Sequence, residues 1–231
     1  MGRVLVTGGA SGIGAACADV LRRNEWDVVV ADVSPIATAG AIQLDVADEA
    51  GWARALDDIG HLDGLVSCAG IRTRGMIVDT SLEEWERHLR VNVTGTWLAV
   101  REFLRRRDPE RPGGAIVTIA SVTATMAVPG QAHYVASKGA IVALTRAVAI
   151  EAAPLGVRAN CIAPGSIRTP MAAERLADPE QVRWLNGRVP LGRVGEAAEV
   201  AEVAEFLLSD RASYMSGDVV YVDGGWTANA V

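Results

Sequence analysis

Short runs of apolar and β-branched residues recur along this chain of 231 residues, and longer amphipathic stretches separate them. The runs show little alternation of apolar and polar positions, which is typical of strands covered on both faces. They predict seven strands, at residues 4–7, 28–31, 41–44, 64–67, 115–119, 158–162 and 218–222. Apolar residues at helical spacing predict helices over 12–24, 81–107, 132–153 and 197–209.

Strands that alternate with helices define the expected architecture. Right-handed crossovers between such elements give an α/β, doubly wound fold, in which a seven-stranded, mainly parallel sheet carries helices on both faces. The link between residues 32 and 41 is too short for a full helix, so one crossover is expected to be trimmed. Residues 1–231 fit a single domain. The proline-containing stretch 171–194 is expected to form a small lid.

A glycine-rich segment joins the first predicted strand to the first helix. Residues 7–14 read TGGASGIG, in which glycines let the backbone approach a pyrophosphate while the helix N-terminus offers amide donors. Asp32, at the end of the second strand, can accept hydrogen bonds from ribose hydroxyls and would repel a 2′-phosphate, which favours NAD over NADP. The alternative for Asp32 is a turn residue. Asp45 could reach the adenine amino group or serve as a turn residue or helix N-cap.

Lys138 is the only lysine in the chain, and it follows Tyr134 by four residues. Two side chains with this spacing share one face of a helix. A compact cation beside a phenol favours the phenolate, so the pair is typical of a tyrosine that acts as an acid or base. Codon bias is the alternative explanation for a single lysine among many arginines.

The order and spacing of these motifs closely resemble the short-chain dehydrogenase/reductase family, from Val4 to Gly225. The matching pieces are residues 7–14, Asp45, Ala69, Gly70, residues 92–95 (NVTG), Ser121, residues 134–138 (YVASK), 164–165, 169–171 and 222–225. The resemblance implies a Rossmann fold and an NAD-dependent oxidoreductase acting on CH–OH groups, which moves hydride between a nicotinamide and a carbonyl or secondary alcohol. It also implies a homotetramer.

The family resemblance also implies roles for single residues. Tyr134 would be the general acid/base, Lys138 would hold the nicotinamide ribose, and Ser121 would hydrogen-bond the substrate oxygen. Asn92 would position a water behind Lys138 in a proton relay. The alternatives are a strand-end turn for Ser121 and a mid-helix polar residue for Asn92. The implied cofactor-binding set is Gly8, Ser11, Gly12, Ile13, Gly14, Asp32, Asp45, Val46, Cys68, Ala69, Gly70, Tyr134, Lys138, Pro164, Gly165, Ile167 and Thr169.

The sequence defines the substrate less well than the cofactor. The candidate pocket residues suit a hydroxyacyl group, sugar, diol, cyclic alcohol or similar ketone. The expected substrate contacts are Ser121, Thr123, Gln131 and Tyr134, and further pocket candidates are Val128, Ser166, Met171 and Trp184. No cluster of basic residues is expected to face a carboxylate or phosphate, although Arg72, Arg74 and Arg168 could approach. His133 is expected to be a substrate contact or a histidine at the rim or surface.

Two other functional classes fit parts of the sequence. A catalytically silent nucleotide-binding regulator would keep the glycine loop but tolerate changes at Tyr134 or Lys138, and neither is changed. An epimerase or dehydratase of the extended relatives usually has a larger C-terminal substrate domain, for which this chain leaves little space. Related enoyl reductases place tyrosine and lysine further apart than four residues. One departure from the family is Ser67 and Cys68, which replace two asparagines and are expected to require a packing adjustment.

Charge and cysteine content limit the classes of partner and the cellular compartment that fit this chain. A net charge of −6 and a pI near 5.1 argue against a nucleic-acid partner. The basic run 105–107 is a dipole-complementing helix end or a binding patch. Cys17, Cys68 and Cys161 are expected to be free thiols in a reducing compartment, and no cysteine and histidine cluster has metal-binding spacing. With no signal peptide or membrane-spanning run, a cytoplasmic protein with a small-molecule substrate is expected.

Overall fold

The computed structural model describes residues 2–36, 40–57, 59–107 and 110–229. In this part of the chain the strands are β1 Arg3–Thr7, β2 Asp27–Asp32, β3 Ile42–Gln43, β4 Gly64–Ser67, β5 Ala115–Ile119, β6 Arg158–Pro164, β7 Ile167–Arg168, β8 Gly195–Glu196 and β9 Val219–Val222. Seven of them form one sheet in the order β3-β2-β1-β4-β5-β6-β9, and every neighbouring pair is parallel. The predicted doubly wound Rossmann architecture is therefore confirmed.

Helices cover both faces of this sheet. Those described are α1 Gly12–Arg23, α2 Glu49–Asp57, α3 Leu82–His88, α4 Gly95–Arg105, α5 Ala132–Glu151, α6 Ala173–Leu176, α7 Pro179–Asn186 and α8 Ala197–Leu208. A π-helical turn, Leu89–Thr94, joins α3 to α4. Among the described residues, no helix has the length and apolar character needed to cross a bilayer.

Successive residues along the central strands serve different cores. Leu65 and Ile116 belong to one buried cluster, which also contains Trp52 of α2 and Phe103 of α4. Their neighbours Val66 and Val117 belong to a second cluster on the other face, under α1 and α8. Because side chains alternate across a strand, a strand with two apolar cores needs apolar residues at every position. This requirement explains why the strands lack polar alternation in the sequence.

Two helical predictions needed correction. Helix α2 was not predicted, because Gly51 and alternating polar residues mask its apolar side. Its Trp52 is fully buried and donates a hydrogen bond from Nε1 to the carbonyl of Val46 at 2.9 Å. The single helix predicted over 81–107 is interrupted by the π-helical turn, a feature that often marks functional sites. Residues 37–39, within the link predicted to be a trimmed crossover, lie outside the described residues.

The stretch predicted as a lid contains a 3₁₀ turn, Pro170–Ala172, followed by α6 and α7. Leu185, Val189 and Val194 pack with Val122 and Trp226 in a small separate core. The ends of the stretch are joined by a two-stranded parallel sheet, in which Ile167 pairs with Gly195 and Arg168 with Glu196. This small sheet was not predicted. The assignment of the stretch as a substrate lid within one domain stays a prediction.

Candidate active site

The glycine-rich turn between β1 and α1 is closely packed. Gly8 has a φ of +69°, and a Cβ there would lie 2.7 Å from the backbone of Ala69. A Cβ on Gly14 would collide with the carbonyl oxygen of Gly8 and lie 2.7 Å from its carbon. Ser11, the N-cap of α1, makes no side-chain capping hydrogen bond, so the first amides of the helix have no side-chain acceptor. This arrangement fits a pyrophosphate, which the amides and helix dipole would hold.

If this turn holds the phosphates of a dinucleotide, Gly14→Ala should weaken NADH binding at least about fivefold, because overpacking of a tight backbone contact costs about 1–3 kcal/mol. Fluorescence titration with NADH measures the loss. Gly139→Ala is the matched control, since Gly139 lies within α5 and a Cβ there meets no atom within 4 Å. Unchanged affinity in a folded Gly14→Ala protein would show that this turn does not hold the phosphates.

Two acidic residues lie at the ends of β2 and β3. The carboxylate of Asp32 accepts hydrogen bonds from the amides of Ala10, at 3.0 Å, and Ser34, at 2.9 Å. The side chain of Asp45 accepts one from the amide of Ala47 at 2.9 Å, as in an Asx turn. Both carboxylates line the same cavity as the glycine turn. Asp32 is therefore held beside the turn, with its position fixed by backbone donors.

Asn92, in the π-helical turn, fastens the loop after β4 to the helix that contains Tyr134. Its Oδ1 accepts from the amide of Ile71 at 2.8 Å, and its Nδ2 donates to the carbonyl of Ile71 at 3.0 Å. Nδ2 also donates to Ser137 Oγ at 3.0 Å, and Ser137 donates to the carbonyl of Tyr134 at 2.8 Å. The side chain of Asn92 thus has a positioning function, and its part in a proton relay stays a prediction.

Tyr134 and Lys138 share one face of α5, as their spacing predicts. The Lys138 Nζ lies 5.7 Å from the centroid of the Tyr134 ring and donates to the carbonyl of Ile119 at 2.8 Å. Both residues are buried, at 7% and 5% exposure. Ser121 follows β5 and accepts a hydrogen bond from the amide of Thr123 at 3.2 Å. The phenol and the ammonium group are therefore buried close together on α5.

Ser67 and Cys68 are accommodated by hydroxyl groups. Ser67 Oγ donates to Thr96 Oγ1 at 3.2 Å, and Thr96 Oγ1 donates to the carbonyl of Asn92 at 2.9 Å. Thr7 Oγ1 accepts from the amides of Cys68 and Ala69 at 3.1 and 3.3 Å. Cys68 packs against the second core cluster, and burial raises the pKa of its thiol to about 12. Cys68 is therefore a neutral thiol at neutral pH that packs as a small apolar residue, and the packing adjustment relative to the family's asparagines stays a prediction.

One cavity of about 490 Å³ brings most of these groups together. Every residue of the implied cofactor-binding set lines it, as do Ser121, Ser166 and Met171. Asn92, Thr123 and Gln131 are buried but are not among its lining residues. Trp184 is 41% exposed and also lies outside the lining. The substrate contacts proposed for Thr123 and Gln131 stay predictions, as do the binding roles of the lining residues.

The expectation that no basic residues gather here was wrong. Arg72, Arg87, Arg90 and Arg175 also line the cavity. Arg175 lies on α6, and its approach depends on how that short helix packs. A sequence offers no signal for this packing. Of the three arginines expected to be able to approach the pocket, Arg72 lines the cavity, whereas Arg74 and Arg168 do not.

The expectation that His133 is a rim or surface residue was also wrong. The side chain is 1% exposed, and its Nε2 lies 3.1 Å from Thr73 Oγ1. Its ring packs edge-on against His88, with centroids 4.2 Å apart. The partner Thr73 is 60 residues distant in sequence, so local pattern could not reveal the contact. His133 is therefore a core residue behind the site.

Comparison with known proteins agrees with this fold. Residues 8–227 match a family described as enoyl-(acyl carrier protein) reductase. The chain is similar to a cyclopentanol dehydrogenase of Comamonas, with 39% identity over 245 residues that cover 98% of this chain and 97% of the relative. An inactive 2-(S)-hydroxypropyl-CoM dehydrogenase 2 of Xanthobacter autotrophicus is 42% identical over 200 residues, covering 83% and 86%.

A solved structure of 4-hydroxyisoleucine dehydrogenase complexed with NADH superposes with a TM-score of 0.93 and 29% identity, covering 98% of this chain and 99% of that one. The sheet order and these similarities define the class of this protein, an oxidoreductase with a Rossmann fold. It belongs to the short-chain dehydrogenase/reductase family, as the motifs predicted.

Proposed function

We propose that this chain is an NAD(H)-dependent dehydrogenase that moves hydride between the nicotinamide and a secondary alcohol or ketone, with Tyr134 as general acid/base. The observation that carries the proposal is a single cavity lined by the glycine turn, Asp32, Ser121, Tyr134 and Lys138. A dehydrogenase needs a dinucleotide site and a proton-transfer group at one place, and this cavity joins both sets of residues. A relative named for cyclopentanol oxidation supports an alcohol as substrate.

The chemistry divides between the cofactor and the chain. A bound nicotinamide would accept or supply the hydride. On alcohol oxidation, the Tyr134 phenolate takes the hydroxyl proton as the carbinol becomes a carbonyl, and on reduction the phenol returns it. Lys138 would hold the nicotinamide ribose through its ammonium group, while Ser121 would hold the substrate oxygen by a hydrogen bond. All three side chains are buried, with exposures of 7% for Tyr134, 5% for Lys138 and 9% for Ser121.

The enzyme is proposed to prefer NAD because Asp32 carries its charge where a 2′-phosphate would lie. Asp32→Ser should shift the ratio of kcat/KM values toward NADP⁺ by at least about fivefold, since two anions at contact distance repel by more than about 1 kcal/mol. Steady-state kinetics with both cofactors measures the ratio. Asp27→Asn is the control, because Asp27 lies at the other end of β2 and pairs with Arg3. An unchanged ratio would remove Asp32 from cofactor selection.

The test of the activity is the absorbance of NADH when the protein is mixed with NAD⁺ and a panel of secondary alcohols, diols, sugars and hydroxyacyl esters, repeated with NADP⁺. A rise on one class supports the dehydrogenase and narrows its substrate. Silence across the panel, with NADH still bound in a fluorescence titration, would favour a binding role instead.

A catalytically silent nucleotide-binding regulator is the alternative, and one relative is itself named inactive. The presence of Ser121, Tyr134 and Lys138 on one cavity wall favours the enzyme, because a regulator has no need of a proton-transfer group. The matched family is described by a reductase activity, but the four-residue spacing of tyrosine and lysine favours alcohol oxidation over enoyl reduction.

The proposal includes a cytoplasmic homotetramer with a small-molecule substrate and neither nucleic acid nor membrane as partner. The family resemblance supports the tetramer. Exposed apolar side chains on two helices, Trp97 on α4 at 44% and Ile150 on α5 at 76%, would be covered by such an assembly. The net charge of −6 supports the absence of nucleic acid.

A further inference from the structure

Three arginines from two segments lie near one another beside the active-site cavity: Arg72 and Arg74 in the loop after β4, and Arg175 on α6. Arg72 and Arg175 line the cavity. Burial, followed by the positive charges of Arg74 and Arg72, lowers the pKa of Arg175. The neighbouring charges of Arg74 and Arg72 contribute a positive potential at this guanidinium. Such a potential concentrates anions at the cavity wall.

No carboxylate offsets these charges in the described part of the chain. The ion pairs found there include Arg101 with Glu49 and Arg193 with Glu199, but none involves Arg72, Arg74 or Arg175. The Nε of Arg175 is buried without any hydrogen-bond acceptor. A buried donor on a charged group without an acceptor is costly, and an anion is the partner that best removes this cost.

The backbone beside Arg72 lies near Lys138, and both arginines have contacts that limit where they can point. Arg72 is two residues from Gly70, where a Cβ would lie 3.6 Å from Lys138 Nζ. Its Nη2 donates to the carbonyl of Met171 at 2.7 Å. The guanidinium of Arg175 stacks over the ring of Trp184 at 5.1 Å from its centroid, which limits its orientations.

The cofactor already has complementary groups elsewhere in the cavity. Its phosphates fit the N-terminus of α1, and its adenosine ribose fits Asp32, a residue that would not share a site with an anion. Arg72 and Arg175 therefore remain for the part of the cavity that the other reactant would occupy. Arginine forks suit planar or tetrahedral oxyanions, to which they give two hydrogen bonds at once.

We propose that the substrate is a secondary alcohol or ketone that also carries an anionic group, a carboxylate, sulfonate or phosphate, which Arg72 and Arg175 bind. The inference rests on the proposed dehydrogenase function and names its substrate class. Arg74 strengthens the local positive potential without lining the cavity. The anion fixes one end of the substrate, so the carbinol carbon can be presented to Tyr134 at the other end.

Matched acids and esters test this subsite. A series of hydroxy acids, with the secondary hydroxyl at increasing distance from the carboxylate, is compared with the methyl esters of the same acids. Wild-type kcat/KM should be higher for one acid than for its ester by about tenfold to a hundredfold, the value of a charge-assisted hydrogen bond. Hydroxy sulfonates and hydroxy phosphates of the same lengths identify the preferred oxyanion.

Variants assign the preference to the arginines. Arg72→Gln and Arg175→Gln should each remove most of the preference for the acid, with little change for the ester and with NADH affinity within about twofold, since the lost contact is a charge-assisted hydrogen bond to the substrate alone. Arg175→Lys keeps the positive charge but loses the planar guanidinium, so it should retain part of the preference for the acid. The control is Arg168→Gln, because Arg168 pairs with Glu196 and is not among the lining residues.

Three results would overturn the subsite. The first is equal kcat/KM for acids and esters. The second is a loss of NADH affinity in Arg72→Gln or Arg175→Gln as large as the loss of activity, which would assign the arginines to the cofactor pyrophosphate. Oxidation of neutral alcohols alone would leave the dehydrogenase standing and the subsite refuted.

The subsite can be tested even if the protein shows no turnover. If neither NAD⁺ nor NADP⁺ supports oxidation, the proposed function fails. The thermal shift of the NADH-bound protein with each acid and ester then decides the subsite. Stabilisation by an acid that disappears in Arg175→Gln supports it, and equal shifts for acid and ester refute it.

Discussion

We expect Tyr134→Phe to lower turnover at least about a hundredfold while NADH binding stays near the wild-type value. The substitution removes one oxygen from a side chain that is 7% exposed, and the backbone contact from Ser137 to the Tyr134 carbonyl does not depend on it. Positioned acid or base catalysis contributes about 10²- to 10⁴-fold, so kcat should fall by that factor. Because the ring and its packing are retained, the melting temperature should change little.

The measurements are kcat from NADH absorbance, NADH affinity from fluorescence and stability from thermal unfolding. The chain has three tyrosines, and Tyr214 is fully exposed, so Tyr214→Phe is the matched control for loss of a phenol hydroxyl. Retention of more than about a tenth of the wild-type rate by Tyr134→Phe would refute the acid/base assignment, because that loss is smaller than such catalysis contributes.

We expect Lys138→Arg to inactivate the protein as well, although the charge is kept. The lysine is 5% exposed, and its Nζ donates to the carbonyl of Ile119 at 2.8 Å. A planar guanidinium is wider than an ammonium and would fit this buried position poorly. We expect kcat/KM to fall at least about a hundredfold, with weaker NADH binding as well.

Lys138→Met separates charge from fit. Methionine has a similar length and no charge, so it should fold well, bind NADH more weakly and lose kcat through the missing cation. Since Lys138 is the only lysine, selective isotope labelling of lysine gives a single NMR signal that reports its environment directly. A shift of that signal on addition of NADH is expected. A wild-type rate in Lys138→Arg would show that a point charge at this place is not required.

The sequence predicts the sheet well because the physical requirements there are local. Strands such as β4 and β5 are apolar at every position, since each face has its own core. The glycine turn is predicted in part for a similar reason, because Gly14 packs against Gly8 within the turn, whereas the contact of Gly8 is with Ala69 after β4. Carboxyl ends of parallel strands meet at one edge, so residues at those ends were expected to share a cavity.

Features set by distant packing were not predictable in the same way. The π-helical turn at Leu89–Thr94 changes hydrogen-bond register without a compositional signal. Arg175 reaches the cavity through the placement of α6, and His133 is buried through its contact with Thr73. Each of these depends on which segment packs opposite, and that information is absent from spacing and hydropathy.

The small β7–β8 sheet has a consequence for how this protein can change. The small sheet pairs residue 167 with residue 195. The segment between them therefore leaves the Rossmann domain and rejoins it at neighbouring positions. Cofactor selection is expected at Asp32 and the glycine turn, whereas Met171 and Arg175 belong to this segment. Substrate preference can therefore be changed by substitutions within this one segment of the chain. A graft that exchanges residues between these two strands should alter which alcohol is accepted while leaving the choice between NAD and NADP intact.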